Sequence, residues 1–577
     1  MSMPHPALIL LFPLFAGILI PILRRRLGEG VAKIGILAQI ASFVLSIIVL
    51  VDVSYNPPIH IRLFPTPPIE PALFRFGLYI DRLSAVMMVL ITGVSMIVHL
   101  FSRTYLQQDS GYARYFSLLS LITFSLLSLV TSPNLFMFFV FWQLISWLLY
   151  LLLSYNYAHT DTCRAAFKTL MILRIGDLFF LAGLLGAYTL FGTLDFPDMF
   201  HQVAASTATF EIFFGWEISQ ITIVSLLIFV GAMSKSAQFP LHVWLPDTMF
   251  GPTPVSALMH AGIVNAGGFL LNRLAPLYGQ SPTSLNIIFG VGALTTFLGA
   301  GIMLCQNDVK KMLGYSTIAQ MGYMIMECGL GAFALAIFHF IAHGLFKASL
   351  FLSAGSIVHT TRIDPKTPKR SKTEEGLSQP ETSQPFSLLT WLTGLVITLI
   401  LPLIILFAAH GAFHIPLTDE AHGAVIFLFF GWVTSSQAII SLYRMNTVAS
   451  WKVVCAMIAA LVLIIFTYLF AGEKFTLFLY PAPGEAAHYF EVAALHIGLF
   501  DLFIVLAIVA VVSVWIFLYA NARGRHILMP SWVNRLKTRC YVASINGFYF
   551  NKLYRNLAKT MTRFVQVLDK RLLAWLP

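Results

Sequence analysis

Between Lys235 and His260 the chain runs Lys-Ser-Ala-Gln-Phe-Pro-Leu-His-Val-Trp-Leu-Pro-Asp-Thr-Met-Phe-Gly-Pro-Thr-Pro-Val-Ser-Ala-Leu-Met-His, one lysine and four prolines set into apolar sequence of membrane length. A cation in hydrocarbon costs several kcal/mol unless it faces a hydrated cavity or a partner, so an intramembrane lysine is a functional-site candidate by default. Pro240 interrupts the backbone ladder beside Lys235, and broken membrane helices are tolerated where they line such cavities. The plainer reading places Lys235 at a helix end with its ammonium reaching the interface. The apolar run from 221 to 233 favours the first reading; the polar stretch after it keeps the second open.

The surrounding sequence sets the fold class. Of 577 residues, 58% are hydrophobic and 11% charged, with a mean hydropathy of +0.81. That composition predicts an all-α polytopic membrane protein and leaves no room for a soluble enzyme domain. Spanning runs give about fifteen transmembrane helices, centred near residues 15, 42, 90, 123, 144, 179, 230, 262, 295, 319, 343, 397, 432, 461 and 506. The first run has no basic residue before it and no small-residue cleavage site after it, and reads as a retained helix. Five cysteines, at 163, 305, 328, 455 and 540, show no Cys-x-x-Cys spacing, so iron–sulfur and structural zinc sites have no support in the sequence.

Charge separates between alternate loops. Arg24, Arg25, Arg26, Lys33, Arg103, Arg114, Arg164, Lys168, Lys310, Lys311, Arg444 and Lys452 fall on one side, with the stretch 362–372; Asp195, Asp198, Glu211, Glu217, Asp419 and Glu420 fall on the other. The positive-inside rule makes the basic side cytoplasmic, with the N-terminus outside and the C-terminus inside. Residues 521–577 carry eleven Lys and Arg against the single acid Asp569, nearly the whole net charge of +11. Interleaved with Phe548, Tyr549, Leu553, Tyr554, Leu557 and Phe564, they read as amphipathic helices on an anionic cytoplasmic leaflet or against a partner, and not as a nucleic-acid surface. The polar segment 362–386 cannot bury enough apolar surface to order itself and reads as a flexible cytoplasmic loop.

His339, His343 and Lys347 recur at steps of four, so on a helix they share one face along about 12 Å of axis. Imidazole exchanges protons near neutral pH and a desolvated ammonium gives its proton up more readily, so this face can pass protons through water. A zinc site is the competing reading, although no nearby acid or thiol offers an obvious third ligand. Satisfied buried histidines are another. Asp177 is expected to pair with Arg174 or to point toward Lys235, with Lys168 close by around the start of the sixth helix. Lys310 opens a helix after Asn307-Asp308, which suits a helix end as well as a relay. Asp81 reads as a partner of Arg82 or a helix cap; His5, His60, His99 and His488 read as surface or filler histidines. Phosphate loops, nucleophile elbows and paired catalytic carboxylates are absent from the sequence, so no catalytic residue and no cofactor is expected.

The string from Gly231 to Ala261, the segment Asp308-Val-Lys-Lys-Met-Leu-Gly-Tyr-Ser-Thr-Ile-Ala-Gln-Met-Gly-Tyr, residues 339–355, Trp142 and Leu-Arg-Ile-Gly-Asp at 173–177 strongly resemble the antiporter-like subunits of respiratory complex I and of Mrp cation/proton antiporters, over roughly residues 75–360. The resemblance implies two inverted five-helix repeats, each with a broken helix, and puts Lys235, His260, His339, His343 and Lys347 on a hydrated proton path to which Asp177, Lys168 and Lys310 are added. It divides the chain into N-terminal helices (1–110), a first repeat (111–275), a second repeat with the flexible loop (276–445), C-terminal helices (446–520) and the basic tail (521–577). Two positions depart from the family. Gln143 stands where a glutamate usually pairs with the broken-helix lysine, and an amide cannot hold or release a proton; Pro402 is followed by His410 where the family has a lysine.

These losses, the sequence Ala261-Gly-Ile-Val-Asn-Ala-Gly-Gly-Phe-Leu-Leu and the tail Tyr541-Val-Ala-Ser-Ile-Asn-Gly-Phe-Tyr-Phe are more similar to the DabB-type membrane subunits of DAB inorganic-carbon transporters. That resemblance implies a bacterial inner-membrane protein in which proton or sodium flow energises a soluble zinc-containing, carbonic-anhydrase-like (DabA-like) partner at the cytoplasmic face for bicarbonate accumulation. A proton-pumping subunit of a quinone oxidoreductase or an Mrp-type antiporter is the alternative, and a scaffold without ion conduction the third.

Overall fold

A computed structural model describes residues 6–62, 75–205, 208–212, 216–363, 474–482, 484–493, 531–556, 559–560 and 563. The chain starts with two long apolar helices, α1 (Leu8–Leu27) and α2 (Val31–Tyr55), which turn on Gly28. There φ is +53°, a conformation that glycine adopts without a Cβ clash. A hairpin of β1 (Ile59–Arg62) and β2 (Gly77–Ile80) follows, pairing Ile59 with Ile80 and Arg62 with Gly77. Then come α3 (Arg82–Tyr105), α4 (Tyr112–Val130), α5 (Leu135–Leu153), α6 (Thr160–Phe191) and the short α7 (Phe196–Ala205). A second hairpin, β3 (Thr209–Ile212) with β4 (Trp216–Ser219), leads into α8 (Gln220–Lys235).

The helix starts carry their own signals. Asp81 caps α3 by accepting from Ser84 N at 2.8 Å, Asn134 caps α5 through Met137 N at 2.8 Å, and Asp308 caps the helix it precedes through Lys311 N at 2.9 Å. Each satisfies a backbone donor that the first turn leaves unpaired.

Beyond Lys235 the backbone leaves the helix. Ala237 takes φ +49°, and a turn of 3₁₀ helix covers Leu245–Phe250. The Ser234 carbonyl, orphaned by the break, accepts from Trp244 Nε1 at 2.8 Å, which explains a tryptophan in this loop. The next span is itself irregular: α9 (Thr253–Leu258), a π-helical turn (Met259–Ile263) and α10 (Ala266–Arg273). After α11 (Ala275–Tyr278) come α12 (Pro282–Leu304), α13 (Val309–Gly329) and α14 (Phe333–Ile363), then three pieces of the C-terminal region, α15 (Thr476–Leu479), α16 (Glu485–Ala493) and α17 (Ser531–Ile545). Helices α12 and α13 approach through glycine: a Cβ on Gly292 would stand 2.4 Å from Met326 N, and one on Gly329 2.3 Å from Phe289 N.

Eight segments among the described residues are long and apolar enough to cross a membrane, the first of them, Leu8–Tyr55, broken at Gly28. The expected centres from 15 to 343 each fall in a helical segment; those near 397, 432, 461 and 506 lie outside the described residues, as do His410 and most of the 362–386 loop. Both hairpins were absent from the sequence reading. Connectivity puts both at one end of the bundle, and the first is tied in by Tyr79 N to Thr131 O at 2.8 Å, with the ion pair of Arg75 to Asp195 and the Asn134–Asp195 bridge beside it. Connectivity places Arg24–Arg26, Arg103, Arg114 and Lys310 at the opposite end.

Candidate functional site

Lys235 ends α8 and is wholly buried. Its Nζ donates to Trp142 O at 3.0 Å and to Ser146 Oγ at 2.5 Å, and lies 4.7 Å from the centroid of the Trp142 ring. Two neutral oxygens and an aromatic face hold an ammonium without fixing it as a carboxylate would. Trp142 Nε1 donates in turn to Asp177 Oδ1 at 2.7 Å. Asp177 pairs with Arg174, whose Nε is 3.3 Å from Oδ2, so Trp142 stands between the acid and the lysine. The Gln143 amide oxygen accepts from Arg174 Nη1. Arg174 and Asp177 lie in the middle of α6, not around its start, because that helix begins ten or more residues earlier at Thr160.

The second group is on α14 and the irregular span facing it. His339 and His343 have ring centroids 6.4 Å apart, and Lys347 Nζ donates to Ser316 Oγ at 2.8 Å. His260, in the π turn, stacks on Phe351 at 4.4 Å. His260 and His343 are buried with neither ring nitrogen hydrogen-bonded among the described residues. His260 and Lys347 lie within electrostatic reach of His343. A buried imidazole without a partner is costly unless water supplies one, so these nitrogens mark where water belongs. The two groups meet where Ser236, next to Lys235, donates to Val264 O at 2.7 Å, four residues past His260. Among the described residues no three His, Cys, Asp or Glu side chains converge as metal ligands would.

Other candidates sit apart. Lys168 Nζ contacts Asp247 Oδ2 and Asn551 Oδ1, each at 2.5 Å, with about a third of the lysine side chain exposed. It ties α6 to the broken segment and to the tail, away from the buried pair. Lys310 is half-buried in the first turn of α13. Asp81 does cap α3, but its ionic partner is Arg273; Arg82 instead donates to the carbonyls of Phe478 and Ser54. His99 is no surface residue: it is fully buried, with Nδ1 2.8 Å from Ser95 O and Nε2 3.2 Å from Ser120 Oγ, a satisfied core histidine.

Sequence reasoning missed Glu327. Its carboxylate is buried against His339, with Oε2 3.1 Å from Nδ1, while Gln320 Oε1 is 2.9 Å from Nε2. An acid inside Met-Ile-Met-Glu-Cys-Gly was signal enough.

The tail also takes a definite place. Phe550 packs edge-on against Phe239 and His242, at 5.4 and 5.3 Å, and Tyr554 Oη donates to Pro240 O at 3.3 Å. The tail thus covers the break beyond Lys235. Phe550→Ala removes aromatic contacts of about 1 kcal/mol, so the tail opens roughly fivefold more often. Trypsin is expected to cut after Arg555 correspondingly faster; an unchanged rate means the ring does not hold the tail.

Residues 132–412 match the family described as NADH:quinone oxidoreductase/Mrp antiporter, TM, and residues 69–116 match the N-terminus of complex I chain 5. The chain is 37% identical to the probable inorganic carbon transporter subunit DabB1 of Halothiobacillus neapolitanus over 96% of each chain. It is 40% identical to NADH-ubiquinone oxidoreductase chain 5 of Metridium senile over 61% of this chain and 58% of that one. The fold is shared with the Mrp complex of Dietzia (TM-score 0.57, 23% identity, 98% of this chain and 60% of that one). It is also shared with an archaeal membrane-bound sulfane sulfur reductase (TM-score 0.55, 20% identity, 90% and 96%). The chain belongs to this antiporter family: it is a multi-pass, proton-conducting antiporter-like membrane subunit of the DabB kind.

Proposed function

We propose that this subunit carries protons, or sodium ions, across a bacterial inner membrane and so energises a soluble zinc-containing, carbonic-anhydrase-like partner at the cytoplasmic face for inorganic-carbon accumulation. The observation that carries the reading is the fully buried Lys235 at a helix break, held by neutral groups, with buried unpaired imidazoles at His260 and His343 beyond it. Protons are passed along Lys235, His260, His343, Lys347 and His339. Lys168 lies at the tail-covered end and Asp177 sets the field around Trp142. Segments 111–275 and 276–445 are the two repeats of a bundle of about fifteen helices. The basic end of the bundle faces the cytoplasm, with the N-terminus outside. The end-to-end likeness to DabB1 supports the carbon branch; the chain 5 likeness over part of the chain supports the second reading, a quinone-oxidoreductase subunit.

One proton crossing 100 mV releases about 2.3 kcal/mol, and a tenfold bicarbonate gradient costs about 1.4 kcal/mol before its charge is counted. More than one proton per bicarbonate is required, because the anion's own charge against 100 mV adds about 2.3 kcal/mol. The test is carbon uptake and growth rescue in cells expressing this chain with and without the zinc partner, with and without an uncoupler. Uptake is expected from the pair alone and is lost when the ion gradients collapse. Uptake by this chain alone, or by the pair after collapse of both gradients, overturns the coupling.

A further inference from the structure

Two carboxylates are buried among the described helices, Asp177 and Glu327, and Asp81 at the start of α3 is half-buried; Asp81 and Asp177 are locked. Asp81 receives Arg273 through Nη1 at 2.5 Å and Nη2 at 3.1 Å. Asp177 faces Arg174 and takes the Trp142 indole. A guanidinium does not release its proton in any accessible pH range, so both acids keep a permanent counter-charge. Glu327 differs. Its one ionic partner is His339, an imidazole that can hold or give up a proton where a guanidinium cannot. Among the described residues, the other elements packed on α13 offer nothing that would fix its charge; the 3₁₀ turn Leu245–Phe250 brings only Asp247, which is paired with Lys168. Helix α12 carries no ionisable residue, and Arg273 on α10 is taken by Asp81. On α14 the next groups beyond His339 are His343 and Lys347. The neighbours Cys328, Tyr323 and Tyr480 are neutral at ordinary pH.

The geometry serves two protonation states without moving a heavy atom. Gln320 presents its amide oxygen to Nε2, making Nε2–H a donor. With a proton on Nδ1, an imidazolium donates to the Glu327 carboxylate. With that proton on the carboxyl oxygen, Glu327 donates to the Nδ1 lone pair. The pair is neutral in both, which is what a membrane interior tolerates.

Glu327 is also at the right end. It lies two residues before the end of α13, at the end of the bundle that carries the β-hairpins. A cavity of about 480 Å³ opens there and reaches Asn272, whose Nδ2 is 3.6 Å from Sγ of Cys328, the residue after Glu327. On the other side of His339 stands His343.

Resting on the proton path proposed above, we propose that Glu327 is the proton-loading carboxylate of the His339–His343–Lys347 face, exchanging protons between the hairpin end of the bundle and His339. In one passage an arriving proton bonds to the second Glu327 oxygen. Once the Nε2–H contact with Gln320 opens, the His339 imidazolium gives its Nε2 proton to water leading to His343. Reorientation of the imidazole lets it take up the carboxyl proton and restores the starting pair, so one proton has entered and one has left.

The experiment uses the full-length chain with its partner in proteoliposomes, with proton flux followed by an internal dye as a function of pH, and with carboxyl protonation followed by infrared difference spectroscopy. E327Q is expected to lower flux about a hundredfold, the scale of a lost proton-transfer group, and to remove a protonated-carboxyl band. E327D is expected to retain flux with its pH profile displaced by about half a unit or more. Flux within about twofold of wild type in E327Q with an unchanged profile, or a carboxyl band that E327Q leaves intact, overturns the proposal. If E327Q does not assemble, E327D decides, and an undisplaced profile overturns it. K235A in the same assay separates the two levels: zero flux in K235A with normal flux in E327Q sinks Glu327 alone, whereas normal flux in K235A sinks the path and Glu327 with it.

Discussion

Replacing Lys235 by alanine is expected to leave a subunit that inserts and assembles but carries no ion current, a fall of about two orders of magnitude or more. The side chain is fully buried at the last residue of α8, and its ammonium has two neutral acceptors, Trp142 O and Ser146 Oγ. It therefore contributes little to holding the bundle, which packs through Phe180, Gly231 and Trp244 around it. Removing it also removes a buried charge, so alanine does not leave an uncompensated ion behind. Lys235→Arg is expected to fail as completely, since a guanidinium keeps its proton and demands more acceptors than this pocket offers. Alanine at His343 is expected to slow the current less, because water already has to complete that part of the path. Flux measured in membrane vesicles and normalised to inserted protein decides the matter; ordinary ion flux in K235A would remove Lys235 from the mechanism.

How much of this was legible in the chain differs from residue to residue. The break after α8 could be read directly, because a lysine followed by four prolines within twenty residues has few other meanings in apolar sequence. The shared face of His339, His343 and Lys347 follows from a spacing of four on any helix. The partners were not legible. Asp177 faces Arg174 across one helical turn, as spacing allowed, but that Trp142 stands between it and Lys235 depends on how α5 packs on α6. Glu327 meets His339 because α13 and α14 turn back within three residues, which brings positions twelve apart together. Recognising that tight turn would have paired them. The hairpins escaped notice because their strands are four residues long and lie beside strongly apolar helices, where alternation has no length over which to show. Composition makes the tail basic with interleaved aromatic and apolar residues; only the fold reveals that Phe550 and Tyr554 face the broken segment.

Breaking the Asp81–Arg273 pair is expected to cost about 3–5 kcal/mol, enough to remove most of the folded protein from the membrane. The residues are 192 positions apart and the pair closes the hairpin end of the bundle. Arg273 is 4% exposed, doubly bonded to Asp81, and donates to Ser84 Oγ at 2.6 Å. The rings of Tyr79, Phe196 and Phe269 stand 5.4 to 5.7 Å from its guanidinium carbon. Asp81 at the same time caps α3, so one carboxylate fixes a helix start and neutralises a charge from α10. Asp81→Ala leaves a guanidinium among aromatic rings with no anion, and Arg273→Ala leaves a carboxylate beside a helix start that supplies one amide. The first is the worse loss, because the cap's dipole partly compensates a lone carboxylate but opposes a lone cation. Replacing both, Asp81→Asn with Arg273→Met, is expected to recover part of the stability lost by either single change, since no unpaired charge remains. Thermal unfolding in detergent, with inserted yield as a second readout, measures all three. Single variants as stable as the parent, or a double variant worse than the sum of the two, would show that the pair does not hold this end of the bundle together.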